Sequence, residues 1–210
     1  MKRLIPALLV AVFAFAACEK DPDMGKVDSQ YLVYTNYDKQ ADFNKFSTYY
    51  LPDSILIIGN SAKPEYWKGA EAADILNAYS QNLEARGFMP AADKESADLG
   101  VQVSYVMSTY YFTDYSQPEW WWGYPGYWGS GYWGNWGGWY YPYAVNYSYS
   151  TNSFITELLD LTVAEGADKK LPVVWTSYMS GLAYSSSVNK TLAVNGVNQA
   201  FKQSPYLTNK

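Results

Sequence analysis

The sequence has no histidine, a single cysteine, and fewer basic than acidic residues, with Lys plus Arg at 15 against Asp plus Glu at 20. Each shortage removes a class of function. Without histidine, the commonest general base and most zinc and copper sites are gone. With one cysteine there is no intramolecular disulfide, so stability has to come from a packed core. A net charge of −5 leaves no basic footprint for nucleic acid. The N-terminal apolar run, Leu4 to Phe15, is about a dozen residues long, short of the ~20 that a membrane-spanning helix needs. No glycine-rich turn leads into Lys-Ser or Lys-Thr at the head of a helix, so no phosphate cradle is present. No dense Asp/Asn loop has calcium-ligand spacing either. The reading therefore expects a non-enzyme with no catalytic residues, no cofactor and no metal.

The N-terminus reads as a processing signal. Lys2 and Arg3 form a positive start, Leu4 to Phe15 an apolar centre, and Ala16-Ala17 the small residues before Cys18. The run Phe15-Ala16-Ala17-Cys18 resembles a bacterial lipobox, with Phe15 in place of the usual leucine. The resemblance implies cleavage before Cys18 and lipidation of its thiol and new amino group. Several acyl chains at ~0.8 kcal/mol per buried methylene anchor a protein stably. Loss of Lys2 and Arg3 would take the net charge from −5 to −7, so lipid, and not charge, would hold the chain to an anionic surface. Residues 1–17 are thus expected to be a signal peptide and residues 18–30, with Pro22 and Gly25, a flexible tether. Glu19 to Asp23 resembles the acidic signals of surface-displayed lipoproteins of the Bacteroides group. The expected location is the cell envelope, lipid-anchored to the outer membrane, on its periplasmic or its exposed side.

From residue 31 to 206 the patterns are those of one folded domain. Tyr31 to Tyr37 and Phe46 to Leu51 read as strands, and Ser54 to Ile58 as a strand or buried loop. Ala72, Ile75, Leu76, Tyr79 and Leu83 lie at helical spacing and predict an amphipathic helix from Ala70, closed by Arg86 and Gly87. Phe88-Met89 begins a short strand. Leu99, Val101, Val103, Tyr105 and Met107 alternate with small or polar residues, which predicts a half-buried strand. Phe154 to Val163 and Pro172 to Met179 read as an antiparallel hairpin. Val194, Val197 and Phe201 predict a last helix over residues 189–203, in which Gly196 costs ~1 kcal/mol. The expected fold class is α+β: a mainly antiparallel sheet covered on one face by two helices.

The order of these segments resembles a bacterial lipoprotein domain, domain-of-unknown-function family 4136. The residues that carry it are Asp42-Phe43…Phe46-Ser-Thr-Tyr49, Leu83-Glu-Ala-Arg-Gly-Phe88 and Ala97-Asp98-Leu99-Gly-Val101, then Leu158-Leu-Asp-Leu161, Leu171-Pro-Val-Val-Trp175 and Phe201-Lys-Gln-Ser-Pro205. The resemblance implies an α+β envelope lipoprotein, often with a Gly/Tyr/Trp-rich segment at one position, and supplies no enzyme activity. Members commonly have a basic residue just after the hairpin tryptophan, where this chain has Thr176.

What the sequence has in excess lies at residues 115–149. Seven tryptophans fall there, Trp120, Trp121, Trp122, Trp128, Trp133, Trp136 and Trp139, among seven glycines and no Lys or Arg. These tryptophans are the candidate contacts of the chain. Three readings stay open. The rings form platforms for sugars, with tyrosine hydroxyls and indole N–H groups meeting the sugar hydroxyls. Or they form a contact surface for an envelope protein or the membrane interface. Or the segment is a low-complexity loop that packs on its own sheet. Seven exposed tryptophans would exceed the few hundred Å² of apolar patch that a soluble monomer tolerates, so some must pack. Carboxylates flank the segment, Asp114 and Glu119 before it and Glu157 and Asp160 after it. Each is expected to be solvated.

Overall fold

The computed structural model describes residues 32–58, 65–107, 139–143, 152–163, 170–181, 183–184, 187–188 and 190–210. The expected signal peptide, the tether and most of the aromatic segment lie outside the described residues.

The core of the fold is a mixed sheet with two helices on one face. Its strands are β1 (Leu32–Tyr37), β2 (Thr48–Tyr50), β3 (Ile55–Ile58), β4 (Glu65–Trp67), β5 (Met89–Pro90), β6 (Leu99–Val106), β7 (Trp139–Tyr140), β8 (Ser153–Asp160) and β9 (Leu171–Ser180). A small separate pair, β10 (Ala183–Tyr184) and β11 (Ser187–Val188), precedes the last helix. The helices are α1 (Ala70–Ala85) and α2 (Lys190–Gln203). The long central pairings are antiparallel. β8 runs beside β6 from Leu99↔Asp160 to Val106↔Ser153, and β9 lies between β8 and β1. The outer part is parallel: β2 and β3 lie one after the other along β6, at Tyr49↔Leu99 and Leu56↔Ser104. Pro52, which has no N–H to donate to a ladder, stands between them. β5 adds to β2 in parallel, and β4 to β3 in antiparallel. The sequence left open whether residues 54–58 form a strand; β3 is one. The parallel edge and the short β4 and β7 had not been expected.

The α1 stripe is buried as its spacing predicts, with Ala72, Ile75, Leu76, Tyr79 and Leu83 facing the sheet. Gly87, at φ 97°, turns the chain so that the Phe88 N–H reaches the Leu83 carbonyl at 3.2 Å and closes the helix end. α2 packs beside α1. Lys190 pairs with Asp74 at 2.7 Å, Asn82 donates to Asn198 at 2.8 Å, and Arg86 donates to the Phe201 carbonyl at 2.6 Å while lying over the Phe201 ring. Burial of the Arg86 guanidinium holds its pKa below the ordinary value. Gly196 lets α2 approach β9, since a Cβ there would stand 2.7 Å from Met179 Sδ. At the sheet, Tyr79 donates or accepts at Thr156 Oγ1 over 2.6 Å, and the Trp175 indole donates to Ser204 Oγ at 2.8 Å. The C-terminal tail is clasped too: Asn209 N–H reaches the Arg86 carbonyl, and its side-chain amide the Phe46 carbonyl.

One core lies under the helices, with Phe46, Leu99, Val101, Val103, Phe154, Leu158, Trp175 and Phe201 among its members. A second lies on the opposite face, formed by Leu56, Ile58, Val106, Ile155, Leu159, Leu171, Val173 and Trp139. The second core corrects the sequence reading of β6. Its alternation predicts a strand wet on one side, yet all eight of its residues are buried. Tyr141 and Tyr143, partly buried, also pack on that second face.

Register also sorts the ends of the sheet. β1 begins, β9 ends, β8 begins and β6 ends at one end, where Leu32 faces Ser180, Phe154 faces Met179 and Ser153 faces Val106. Asn152 donates to the Val106 carbonyl at 2.7 Å, so the chain between β6 and β8 leaves and returns at that same end. β7 is reached at the other end, beside Leu171.

Candidate functional site

Two places bring polar and aromatic groups together, one on the second face and one at the end of the sheet. The first is a row across the three central strands. Gln102 of β6 stands opposite Glu157 of β8, which stands opposite Thr176 of β9. All three are buried, Glu157 and Thr176 completely. The Tyr141 hydroxyl, arriving from the residue after β7, donates to Glu157 Oε1. Trp139, two residues earlier, is fully buried against the second core and pairs with Leu171. Successive residues of an extended chain face opposite sides, so Trp139 and Tyr141, two apart, reach the sheet together. The run from Trp139 to Tyr143 thus lies across the sheet by one large apolar anchor and one hydroxyl placed on a buried carboxyl.

This geometry corrects the expectation for the carboxylates. Glu157 is not solvated but interior, and Asp160 is 4 % exposed. Asp160 accepts from Lys45 Nζ at 2.9 Å and from Thr162 at its backbone and hydroxyl. Three positions apart on one strand, the two carboxyls point to opposite faces of the sheet and do not form a pair around one substrate. Asp114 and Glu119 lie outside the described residues. Among the described residues no group of three His, Cys, Asp or Glu is placed to hold a metal ion.

The second place is a cleft of about 380 Å³ beside the end of β1, lined by the run Asn36 to Gln40, with Asp38 and Lys39 in it, on one side and by Pro142 and Tyr143 on the other. Its polar wall is pre-shaped: Tyr37 N–H donates to Asn36 Oδ1 and Gln40 N–H to Asp38 Oδ1, both at 2.9 Å. The Tyr37 ring is held by stacking on Tyr206, centroids 3.7 Å apart, and Tyr143 stands edge-on to Tyr141 at 6.0 Å. Such a mixture of rings, amides and the charged Asp38 and Lys39 suits a small polar ligand such as a polyhydroxylated one, and the volume lies near the lower end of ligand pockets.

Of the candidate residues read from the sequence, Trp139 is thus placed in the second core. Trp120, Trp121, Trp122, Trp128, Trp133 and Trp136 lie outside the described residues, as does Cys18. The sequence reading missed Gln102, Glu157, Thr176 and Tyr141 as one constellation. A signal was present: the glycines end at Gly138, and the glycine-free run that follows has strand-like composition.

The fold can now be compared with others. The model of the family described as "Domain of unknown function (DUF4136)" matches residues 33–206. The chain belongs to that family. A crystal structure of a DUF4136 family protein from Bacteroides thetaiotaomicron is 69% identical, covers 87% of this chain and 100% of its own, and superposes with a TM-score of 0.78. Two more distant structures are a PelC dodecamer from Paraburkholderia phytofirmans and a PDZ domain protein from Parabacteroides distasonis. The first is 13% identical over 86% of this chain and 99% of its own, with a TM-score of 0.39. The second is 16% identical over 84% and 36%, with a TM-score of 0.42. No curated protein matches the chain. The DUF4136 assignment accounts for the α+β architecture and assigns no activity. Among the described residues no helix is long and apolar enough to cross a membrane.

Proposed function

We propose that this DUF4136 protein is a lipid-anchored component of the cell envelope, non-catalytic, with a structural or protein-interaction role. The observation that carries the reading is the placement of residues 139–143: Trp139 has no exposed surface, and Tyr141 is bonded to an interior carboxyl. This part of the aromatic segment is invested in packing. The lipobox-like run at Phe15 to Cys18 supports the anchor, and its lipid is the membrane partner in this reading. Metabolic labelling with a palmitate analogue is expected to mark the wild-type chain and leave Cys18→Ala unmarked. Label on the variant would refute the anchor.

A second reading, surface glycan binding, is favoured by the cleft between Tyr37 and Tyr143. Titration with soluble glycans, followed by intrinsic tryptophan fluorescence, separates the two. A saturable change that Tyr143→Ala abolishes would favour the sugar. An unchanged spectrum, together with capture of envelope proteins by the wild-type chain, would favour the interaction role.

A further inference from the structure

The sheet ends on β1, and the outer edge of that strand is open. β1 stands first in the strand order, with β9 on its inner side and no described strand on its outer one. The Asp38 N–H donates to the Val174 carbonyl at 3.0 Å, and antiparallel pairing alternates back from there. Leu32, Tyr34 and Asn36 therefore turn their backbone groups to β9, while Val33, Thr35 and Tyr37 turn theirs outward. The Tyr37 N–H is already taken by Asn36 Oδ1 at 2.9 Å. Val33 and Thr35 keep an outward N–H and carbonyl each, without a backbone partner among the described residues. Exposed edges are normally blunted by a charge, a proline, a bulge or shortness. β1 is six residues, Leu-Val-Tyr-Thr-Asn-Tyr, with no charge and no proline, and its register with β9 is unbroken. Two of its side chains, Leu32 and Tyr34, are 56 % and 38 % exposed.

From these observations we infer that β1 pairs antiparallel with β1 of a second copy of the chain, about a two-fold axis at Tyr34. The inference goes beyond the interaction role proposed above by naming a partner, and it does not depend on the lipid anchor. Register selects the axis. With Tyr34 opposite Tyr34 of the copy, Val33 of each chain meets Thr35 of the other, and every open N–H finds an open carbonyl. Shifted so that Thr35 faces Thr35, the Val33 carbonyl would meet the Tyr37 N–H that Asn36 already holds. The same patch serves both chains, as a two-fold requires, and with no charge in the strand no like charges meet. The helix layer fits the same axis. Lys190 and Asn198 face α1, and Gly196 lies over Met179 and Val33, so α2 sits above the β9–β1 pair. The flank of α2 turned away from α1 carries Leu192, Gln199 and Gln203, none of them charged. With strands ~4.8 Å apart, the two copies of α2 come to about 10 Å, which is helix contact distance. A strand from another protein would fill the ladder but not this helix flank.

The test uses the full-length chain in mild detergent. Sedimentation velocity is expected to show dimer growing with concentration in the wild type. Val33→Pro deletes an outward N–H and none of the bonds to β9, and should weaken the dimer by about tenfold or more. A circular dichroism melt checks that this variant still folds. Independently of it, oxidation of Tyr34→Cys in a Cys18→Ser background should link two chains, because that pairing brings the Cα atoms to ~4.5 Å, within disulfide reach. Asp93→Cys, on the turn after β5, should not link. Wild type that stays monomeric at every concentration, or dimer without a disulfide at position 34, overturns the proposal. So does a folded Val33→Pro that dimerises like the wild type. Monomer that still captures envelope proteins overturns the second copy and leaves the interaction role standing. Amides of Val33 and Thr35 that gain protection from exchange only when those proteins are added would give the edge to a foreign strand instead.

Discussion

Replacement of Trp139 by alanine tests most directly whether the second core is part of the fold's stability. The indole is fully buried, with Leu171, Val173 and Leu159 in the same cluster, and its strand pairs with β9 at Leu171 and Pro172. Removing a buried tryptophan costs about 3–5 kcal/mol, from lost transfer energy and from the cavity left behind. For a domain of this size 1 kcal/mol moves the melting temperature by ~2–4 °C, so the expected fall is ~6–20 °C. Urea unfolding of purified wild type and Trp139→Ala, followed by far-ultraviolet circular dichroism, gives the free energy directly. The slope with denaturant should stay unchanged if only the native packing is lost. Trp139→Phe, which keeps an apolar ring, should lose less. A loss below ~1 kcal/mol for the alanine variant would refute the reasoning, because a side chain that truly anchors a core cannot be removed that cheaply.

Two further predictions concern the helix layer. Burial pushes the pKa of the Tyr79 hydroxyl well above the free tyrosine value of 10.0, with the bonds to Thr156 and Ser177 opposing it. The folded state thus keeps a proton that the unfolded state loses. The stability held by Tyr79 is present below pH 10 and falls as pH rises beyond it, by up to ~1.4 kcal/mol per pH unit for this one group. Tyr49, Tyr105 and Tyr206 are shifted the same way, chiefly by burial, and add to the slope. Denaturant titrations at pH 9, 10 and 11 should show this fall, shallower in Tyr79→Phe; identical slopes would refute the assignment. Gly196→Ala improves helix propensity by ~1 kcal/mol but drives a methyl into Met179, and overpacking of this kind costs about 1–3 kcal/mol. A net loss is expected in thermal melts, and a smaller loss from Gly196→Ala in a Met179→Ala background than in the wild type would confirm the contact as its cause.

Local periodicity carried much of the architecture. The α1 stripe, the β6 alternation and the β8–β9 hairpin each rest on neighbours within one segment, so their spacing alone marks them. What lay beyond reach depends on residues far apart in the chain. β6 looks half-buried because nothing near it in sequence shows that its second face joins a core with residues as distant as Ile155 and Trp139. Glu157 looks solvated for the same reason: its three-position offset from Asp160 is visible, but the partner that receives it is not. The parallel pairing of β2 and β3 with β6 was hidden because each is too short to carry a period, and Pro52 cuts them apart. Gly196 read as a helix weakness, whereas the packing against β9 requires its missing side chain. At the candidate site, composition drew attention to the tryptophans as a group, while the described geometry rests on Trp139 with two tyrosines and a glutamate.

The pairing of β1 with β9 has a consequence in time as well as in space. The first strand of the domain closes onto almost the last, Leu32 onto Ser180, while β6, β8 and β9 pair among themselves. Contacts so distant in sequence form slowly, because the loop they close must first lose its freedom. A chain emerging from its N-terminus therefore presents β1 as an unpaired strand until residue 180 has followed it. During that interval the edge that β9 will cover stays open, and the sheet cannot close.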